Sequence, residues 1–290
     1  MEYTTLGRTG ATVSRLGFGG AALGLADYVQ EFDPTDPGVH ARSVTAIQTA
    51  VDNGVNYFDT APGYGAGLSE RVFGEALQGV DSAGGHPIFL ATKIDPGTPA
   101  DQAAARVTES LQRLRRERLD LVQLHGSSYS PDDAERLLAP GGLVETLARL
   151  RDEGLIGAIG FTSEDSNEAV YRFIRSGAFD TVQLCYNLIY QHPYEPSRPF
   201  GSMITADDHG LGIITMRGTT SGILQRWIQA VNPANTFDYT PALIQFVLSN
   251  PLVDVGLVGM RTPEEVRANV ALVADTAGRI DLDALHERYV

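Results

Sequence analysis

From residue 14 nearly to the end of the chain, short apolar runs rich in β-branched and aromatic residues alternate with longer segments of helical period. This is the grammar of parallel βα units. "SRLGFGG" (14–20) reads as the first strand, and a polar, Pro-containing loop to Val39 follows it. "ARSVTAIQTAVDNG" then places Val44, Ile47 and Val51 on one helical face and stops at Gly54, where "VNYFDT" begins the second strand. The same reading gives helix "LSERVFGEAL", strand "PIFLATKI", helix 101–116, strand "LDLVQLHG", helix 143–154 and strand "IGAIGFTS". It ends with helix "SNEAVYRFIRSG", strand "TVQLCYN", a Pro-rich stretch (192–201), a short helix, strand "GIITMRG", helix 241–249, strand "VDVGLVGM" and helix "PEEVRANVALV".

Each strand is largely apolar, as expected when both faces are covered. Eight βα units over roughly 250 residues match a (β/α)8 TIM barrel. No linker or compositional break interrupts them, which predicts a single domain over residues 1–290. Before the barrel, "YTTLGRTGATVS" reads as an N-terminal β-hairpin placed to close the barrel's N-terminal end.

Composition narrows the function. With 43% hydrophobic and 20% charged residues the chain is of ordinary globular type, and its formal charge of −14 argues against a nucleic-acid partner. The one basic cluster, "RLRRER" (113–118), reads as a solvated helix face. Cys185, the only cysteine, sits in an apolar run and predicts a buried thiol in a reducing compartment. The N-terminus lacks the features of a signal peptide, and no apolar run approaches the roughly 20 residues that span a bilayer, so a cytoplasmic protein without membrane contact is expected. The six histidines show no metal spacing, so no metal site is expected.

In this barrel class the active site lies at the C-terminal ends of the strands. Asp59 ends the second strand, Tyr64 follows on its loop, Lys93 sits near the end of "FLATKI" and His125 ends "LVQLH". Singly, each has a structural alternative: a turn cap, a loop aromatic, a lysine snorkelling to solvent, a histidine satisfied in the core. Together they fall on one rim of three consecutive strands. A phenol, with a pKa of about 10, is a poor proton shuttle at neutral pH, but an adjacent ammonium lowers that value. Lys93 is placed to supply the ammonium, Asp59 to hold it charged, and His125 to position a substrate oxygen beside Tyr64. Such a group serves carbonyl/alcohol interconversion by general acid–base catalysis, and the hydride must come from a cofactor.

"FDTAPGYG", "ATK" and "LVQLHG", in that order after "LGRTG" and "VSRLGFGG", resemble the signature segments of the aldo-keto reductases, barrel enzymes that use a nicotinamide cofactor. The resemblance covers essentially the whole chain. It implies that Asp59, Tyr64, Lys93 and His125 form the catalytic tetrad acting on a small-molecule carbonyl or alcohol, with NADP(H) or NAD(H) as cofactor. Thr162 and Ser163 in "GFTS", with Gln183, inherit the nicotinamide carboxamide, and Gly20 and Ala21 lie beside the cofactor. Met216 stands where many members stack an aromatic; Arg217, Thr219 and Ser221 become candidates for the pyrophosphate. In "GMRTPEEVRAN", Gly259, Arg261, Glu265 and Asn269 are further cofactor candidates. Arg261 suits a 2′-phosphate, whereas Glu265 repels one and suits a free ribose hydroxyl. A lean toward sugar substrates rests on "GAALG" and "LVGM"; substrate, direction and oligomeric state stay open, with a monomer as the default.

Three competing readings differ in class. "GFGGAA" (17–22) fits a dinucleotide fingerprint, but the prolines at 34 and 37 leave no helix of the required kind after it. A non-catalytic nicotinamide-binding sensor on the same barrel is the main alternative; a hydrolase lacks its G-x-S-x-G elbow. Trp227, near Phe237 and Tyr239, either lines the substrate pocket or covers the rim, and "IYQHPYEPSRPF" reads as a pocket wall.

Overall fold

The computed structural model describes residues 1–28, 31–196, 200–282 and 284. An antiparallel hairpin, β1 (Tyr3–Thr5) and β2 (Thr12–Ser14), precedes eight parallel strands that close into a barrel. In barrel order these are β3 (Leu16–Gly19), β4 (Tyr57–Asp59), β7 (Phe89–Ile94), β8 (Leu119–Leu124), β9 (Ile156–Ser163), β10 (Thr181–Cys185), β11 (Gly212–Met216) and β12 (Val255–Gly259), which returns to β3. A two-stranded appendage, β5 (Ser82–Ala83) with β6 (His86–Pro87), is the one sheet the sequence pattern did not announce.

The helices are α1 (Ala21–Gly24), α2 (Pro37–Asp52), α3 (Leu68–Ala76), α4 (Ala103–Leu114), α5 (Pro131–Leu138), α6 (Leu143–Asp152), α7 (Glu168–Arg175), α8 (Ser202–Asp208), α9 (Ile223–Val231), α10 (Thr240–Ser249) and α11 (Pro263–Ala274). Helix α2 starts ahead of the expected boundary because Asp36 caps it, accepting from Val39 N, with Pro37 at its first position. Helices α5 and α9 lie in segments to which the sequence pattern assigns no element. A capping box of Ser130 and Asp133 starts α5, whereas α9 buries none of its residues. A turn of helix does follow β3, contrary to expectation, but α1 ends at Gly24, and a closed barrel has no crevice of the dinucleotide-fold type. No described helix is long and apolar enough to cross a membrane.

Two cores result from the strand period of two. One set of side chains faces the helices. The other fills the lower barrel interior: Tyr57, Phe89, Ala91, Leu121, Ala158, Ile214, Val255 and Leu257, joined from below by Leu6 and Val13 of the hairpin. The hairpin fits flush against the start of β11, since a Cβ on Gly7 (φ +43°) would collide with the Gly212 backbone, and Arg8 donates to the His209 carbonyl at 2.7 Å. It therefore stoppers the N-terminal end, as expected.

The basic cluster is only in part the solvated face that was expected: Arg115, Glu117 and Arg118 are exposed, but Arg113 and Arg116 are half-buried. Arg113 Nε donates to Glu70 Oε2 at 2.5 Å, Glu70 is fully buried, and Arg116 donates to the Leu77 and Val80 carbonyls. These arginines fasten α4 to α3 because a buried carboxylate needs a cationic partner. Cys185 is buried as expected, and burial pushes its thiol up to about 11.

Leu6 is sealed between the hairpin and the barrel floor. Leu6→Ala should lower unfolding free energy by about 2–5 kcal/mol in a denaturant titration. A loss below about 1 kcal/mol would show that the hairpin does not close the core.

Candidate active site

The interior alternation that places Tyr57, Ala91 and Leu121 low in the barrel places Asp59, Lys93 and Gln123 one layer higher. The β4–β7 register aligns Asp59 with Ala91, and the β7–β8 register aligns Lys93 with Gln123. Lys93 Nζ donates to Asp59 Oδ1 at 2.5 Å and to the Thr60 carbonyl at 2.9 Å, while Gln123 Nε2 donates to Asp59 Oδ2 at 3.0 Å. Both members of the ion pair are 2% exposed. Burial alone would lower the Lys93 pKa, but Asp59 and Tyr64 outweigh it and hold the ammonium above its ordinary value. Burial raises the Asp59 pKa by more than Lys93 and Gln123 lower it.

Tyr64 returns over this pair because the chain after it turns through three left-handed residues, Gly65 (φ +66°), Ala66 (φ +51°) and Gly67 (φ +81°). The turn lies against Gly24, where a Cβ would come within 2.5 Å of the Tyr64 carbonyl oxygen, and Ser69 N donates to that oxygen at 3.2 Å. Thr60 Oγ1 donates to Ser69 Oγ, which donates to the Gly20 carbonyl, tying the ends of β3 and β4 to the start of α3. Lys93 Nζ lies 5.1 Å from the Tyr64 ring centroid, and the His125 ring meets Tyr64 edge-on at 5.6 Å.

The phenol pKa is raised, the reverse of the sequence expectation. Burial raises it most, Lys93 lowers it, and Asp59 cancels part of the ammonium's effect. At neutral pH the phenol is therefore protonated. The His125 ring is open to the cleft, yet the surrounding walls and then the Lys93 charge lower its pKa to about 4, against a smaller raising effect of Asp95. It is neutral in the same range.

The expected cofactor residues lie on the adjoining rim. Gln183 is buried on β10; its Nε2 points to Met216 Sδ at 3.6 Å and its Oε1 accepts from Gln123 Nε2 at 3.1 Å. The hydroxyls of Thr162 and Ser163 are already engaged: Thr162 donates to the Gly126 carbonyl at 2.7 Å, and Ser163 accepts from Asp165 N at 3.0 Å. Arg217 donates to Glu164 Oε1 at 2.7 Å, so its guanidinium carries a carboxylate partner. Arg217 (φ +59°), Thr220 (φ +58°) and Ser221 (φ +50°) hold left-handed backbone in the segment after β11, with Thr219 beside them. Gly20 N donates to the Asp59 carbonyl at 2.7 Å, and Gly20 and Ala21 form the turn into α1.

At the start of α11, Glu265 completes a capping box with Thr262, its Oε2 accepting from Arg261 N at 2.6 Å and Thr262 N at 3.3 Å. Arg261 Nε donates to the Ala22 carbonyl at 2.9 Å, and its guanidinium lies 3.8 Å from the Phe32 ring centroid; Nη2 is buried without a partner. Asn269 is buried farther along α11, and Gly259 ends β12.

A cleft of about 560 Å³ reaches two of the four, Lys93 and His125, which meet Pro62, Gly63, Asp95, Gln102, Arg106 and Glu109 there; Tyr64 and Asp59 do not line it. A larger cavity, about 800 Å³, is lined by Glu164, Cys185, Tyr190, His192 and Phe200 among others. The aromatic, Pro-rich segment thus contributes a wall, although Ser197, Arg198 and Pro199 fall outside the described residues. Trp227 is 57% exposed on α9 and lines neither cavity. Gln123 went unnoticed in the sequence. The available signal was its spacing, two residues before His125 on the same strand.

A family model described as "Aldo/keto reductase family" matches residues 15–243. The chain is 28% identical to the aldo-keto reductase YhdN of Bacillus subtilis (strain 168), over 92% of this chain and 87% of that one. It is 27% identical to the L-galactose dehydrogenase of Arabidopsis thaliana, over 95% and 89% respectively. In fold it is similar to a solved aldo/keto reductase of Klebsiella pneumoniae in complex with NADP and acetate, with a TM-score of 0.74, 21% identity and coverage of 99% and 94%.

With its pKa displaced from 6.5 to about 4, the His125 ring gives stability that is complete above about 6.5 and lost as pH falls toward 4, where the unfolded chain takes up the proton first. NMR titration of the imidazole in the cofactor-free protein should give a midpoint near 4. A midpoint of about 6 or higher would show a solvated ring.

Proposed function

The chain belongs to the aldo/keto reductase family, and from that premise we propose that it interconverts a carbonyl and an alcohol, with Tyr64 giving or taking the proton at oxygen. The observation that carries this reading is the convergence of Asp59, Lys93, Tyr64 and His125 at one barrel end, with a buried ammonium beside a protonated phenol. In the reducing direction Tyr64 Oη delivers its proton to the substrate oxygen, and the phenolate left behind faces Lys93. Neutral His125 donates a hydrogen bond to the same oxygen and fixes its place. Asp59 keeps Lys93 charged and aimed. Having all four groups in contact favours catalysis over the sensor reading.

The residues present fit a nicotinamide dinucleotide, the cofactor of this family. Arg261 retains a buried, unpartnered guanidinium nitrogen that would meet a cofactor phosphate. Gln183, Thr162 and Ser163 would hold the carboxamide, with Met216 against the ring; Arg217, Thr219 and Ser221 would meet the pyrophosphate. When bound, the cofactor supplies or accepts the hydride. The cleft at Lys93 and His125 has polar walls from Asp95, Gln102, Arg106 and Glu109. Together with the similarity to an L-galactose dehydrogenase, they support a small hydroxylated carbonyl or sugar as substrate.

The start of α11 favours NAD(H). The Glu265 carboxylate occupies the Arg261 and Thr262 amides just ahead of the helix, beside the N-terminus where a 2′-phosphate would be attracted. The added negative charge there repels a phosphate.

Tyr64→Phe removes only the hydroxyl and should lower turnover at least about a hundredfold, with cofactor affinity by fluorescence titration nearly unchanged. Near-normal turnover would reject Tyr64 as the acid. Glu265→Gln preserves the capping box while removing its charge. It should raise the NADPH-to-NADH ratio of kcat/KM by roughly tenfold, equivalent to about 1.4 kcal/mol. A native protein already preferring NADPH by more than about tenfold would overturn this assignment.

A further inference from the structure

Gln123 is fully buried on β8, and its side chain crosses the barrel above Leu121. Its Nε2 donates both to Asp59 Oδ2 at 3.0 Å and to Gln183 Oε1 at 3.1 Å. The carboxylate can only accept, which fixes the amide with nitrogen toward Asp59. That orientation leaves Gln123 Oε1 buried without a partner. An unsatisfied buried acceptor is destabilising. A position serving only to fill the barrel would do better with the apolar residues used in the layer below.

The neighbouring strand makes room for this crossing. Gly160 pairs with Gln123 in the β8–β9 register, and a Cβ there would press within 3.0 Å of Gln123 Cγ and collide with Thr181 Oγ1. Four strands are thereby joined through side chains: Lys93 on β7, Asp59 on β4, Gln123 on β8 and Gln183 on β10.

We propose that Gln123 is a positioning residue, whose carboxamide clamps the second oxygen of Asp59 and ties the acid–base group to Gln183 on the cofactor side. This inference rests on the reading of Tyr64 and Lys93 as the proton-transfer group. Asp59 has one oxygen for Lys93 and one for Gln123. Without Nε2, the buried Oδ2 is orphaned, protonated Asp59 is favoured, and Lys93 loses a fixed counter-charge. The titratable groups around Asp59 are Lys93 on β7, Tyr57 on its own strand and Tyr64 on the following turn. His125, at the end of β8, faces Lys93, with Asp95 beyond it. On the other side, Gly160, Thr181 and Gln183 carry no charge.

The test compares Gln123→Met, which keeps length and volume but removes the donor, with Gln123→Glu. For Gln123→Met, kcat should fall about tenfold or more. The acidic limb of the pH profile should move up by roughly one unit, while the NADH dissociation constant by fluorescence stays within about threefold. Gln123→Glu sets a second carboxylate against Asp59; its activity should lie below that of Gln123→Met at neutral pH and recover as pH falls and the new carboxyl becomes a donor. Both variants within about twofold of the native kcat, with the acidic limb unmoved, would overturn the proposal. So would a Gln123→Met defect confined to cofactor binding. If Gln123→Met fails to fold, the pH-dependent recovery of Gln123→Glu decides alone, and its absence counts against the clamp. Turnover by Tyr64→Phe run alongside tests the underlying mechanism separately, since its survival would reject that mechanism whatever Gln123 does.

Discussion

A lysine ammonium and an aspartate carboxylate meet at 2.5 Å, nearly sealed from water, above a barrel interior filled by aromatic and aliphatic side chains. Desolvating two such ions costs several kcal/mol each, and their attraction recovers it only when geometry and further hydrogen bonds are good. Much of the rim serves that condition. Thr60 turns its carbonyl to Lys93, Gln123 takes the free oxygen of Asp59, and the left-handed turn at Gly65–Gly67 brings the Tyr64 ring over the ammonium.

The pair also explains why the phenol behaves differently from a phenol beside a lone lysine. An isolated ammonium lowers the pKa of a neighbouring tyrosine. Here Asp59 offsets that field, and burial decides the direction. In the proposed mechanism Lys93 is therefore better placed to stabilise a phenolate formed during turnover than to create one at rest. His125 completes the division of labour by remaining neutral, so it can donate a hydrogen bond without adding a second positive charge.

Much of this was legible in the sequence, because barrel strands end where apolar runs stop and Asp59, Lys93 and His125 stand at those ends. Gln123 was hidden by the opposite circumstance, a single polar residue inside an apolar run whose neighbours Val122 and Leu124 face the helices. Helix α5 carried readable signals in Ser130, Pro131 and Asp133. Helix α9 offered fewer, since no residue of it is buried and the hydroxyl that accepts from its Leu224 amide, Thr220, lies in a turn of left-handed backbone rather than at the N-cap. The partners of Arg113, Arg217 and Arg261 come from segments 43, 53 and 239 residues away, and local charge patterning carries no information about such distances.

The stoppered base of the barrel has a consequence for how the molecule assembles. Several groups in the first nineteen residues find their partners far along the chain: Arg8 on the His209 carbonyl, Arg15 on those of Asn250 and Val253, and β3 alongside β12. Pairings of such long sequence separation form late, because loop-closure entropy opposes them until the rest of the structure is in place. During synthesis the hairpin emerges before the barrel strands and waits for β12. Until then β3 has β4 on one side and an open edge on the other, so chain elongation through β12 times the closing of the sheet.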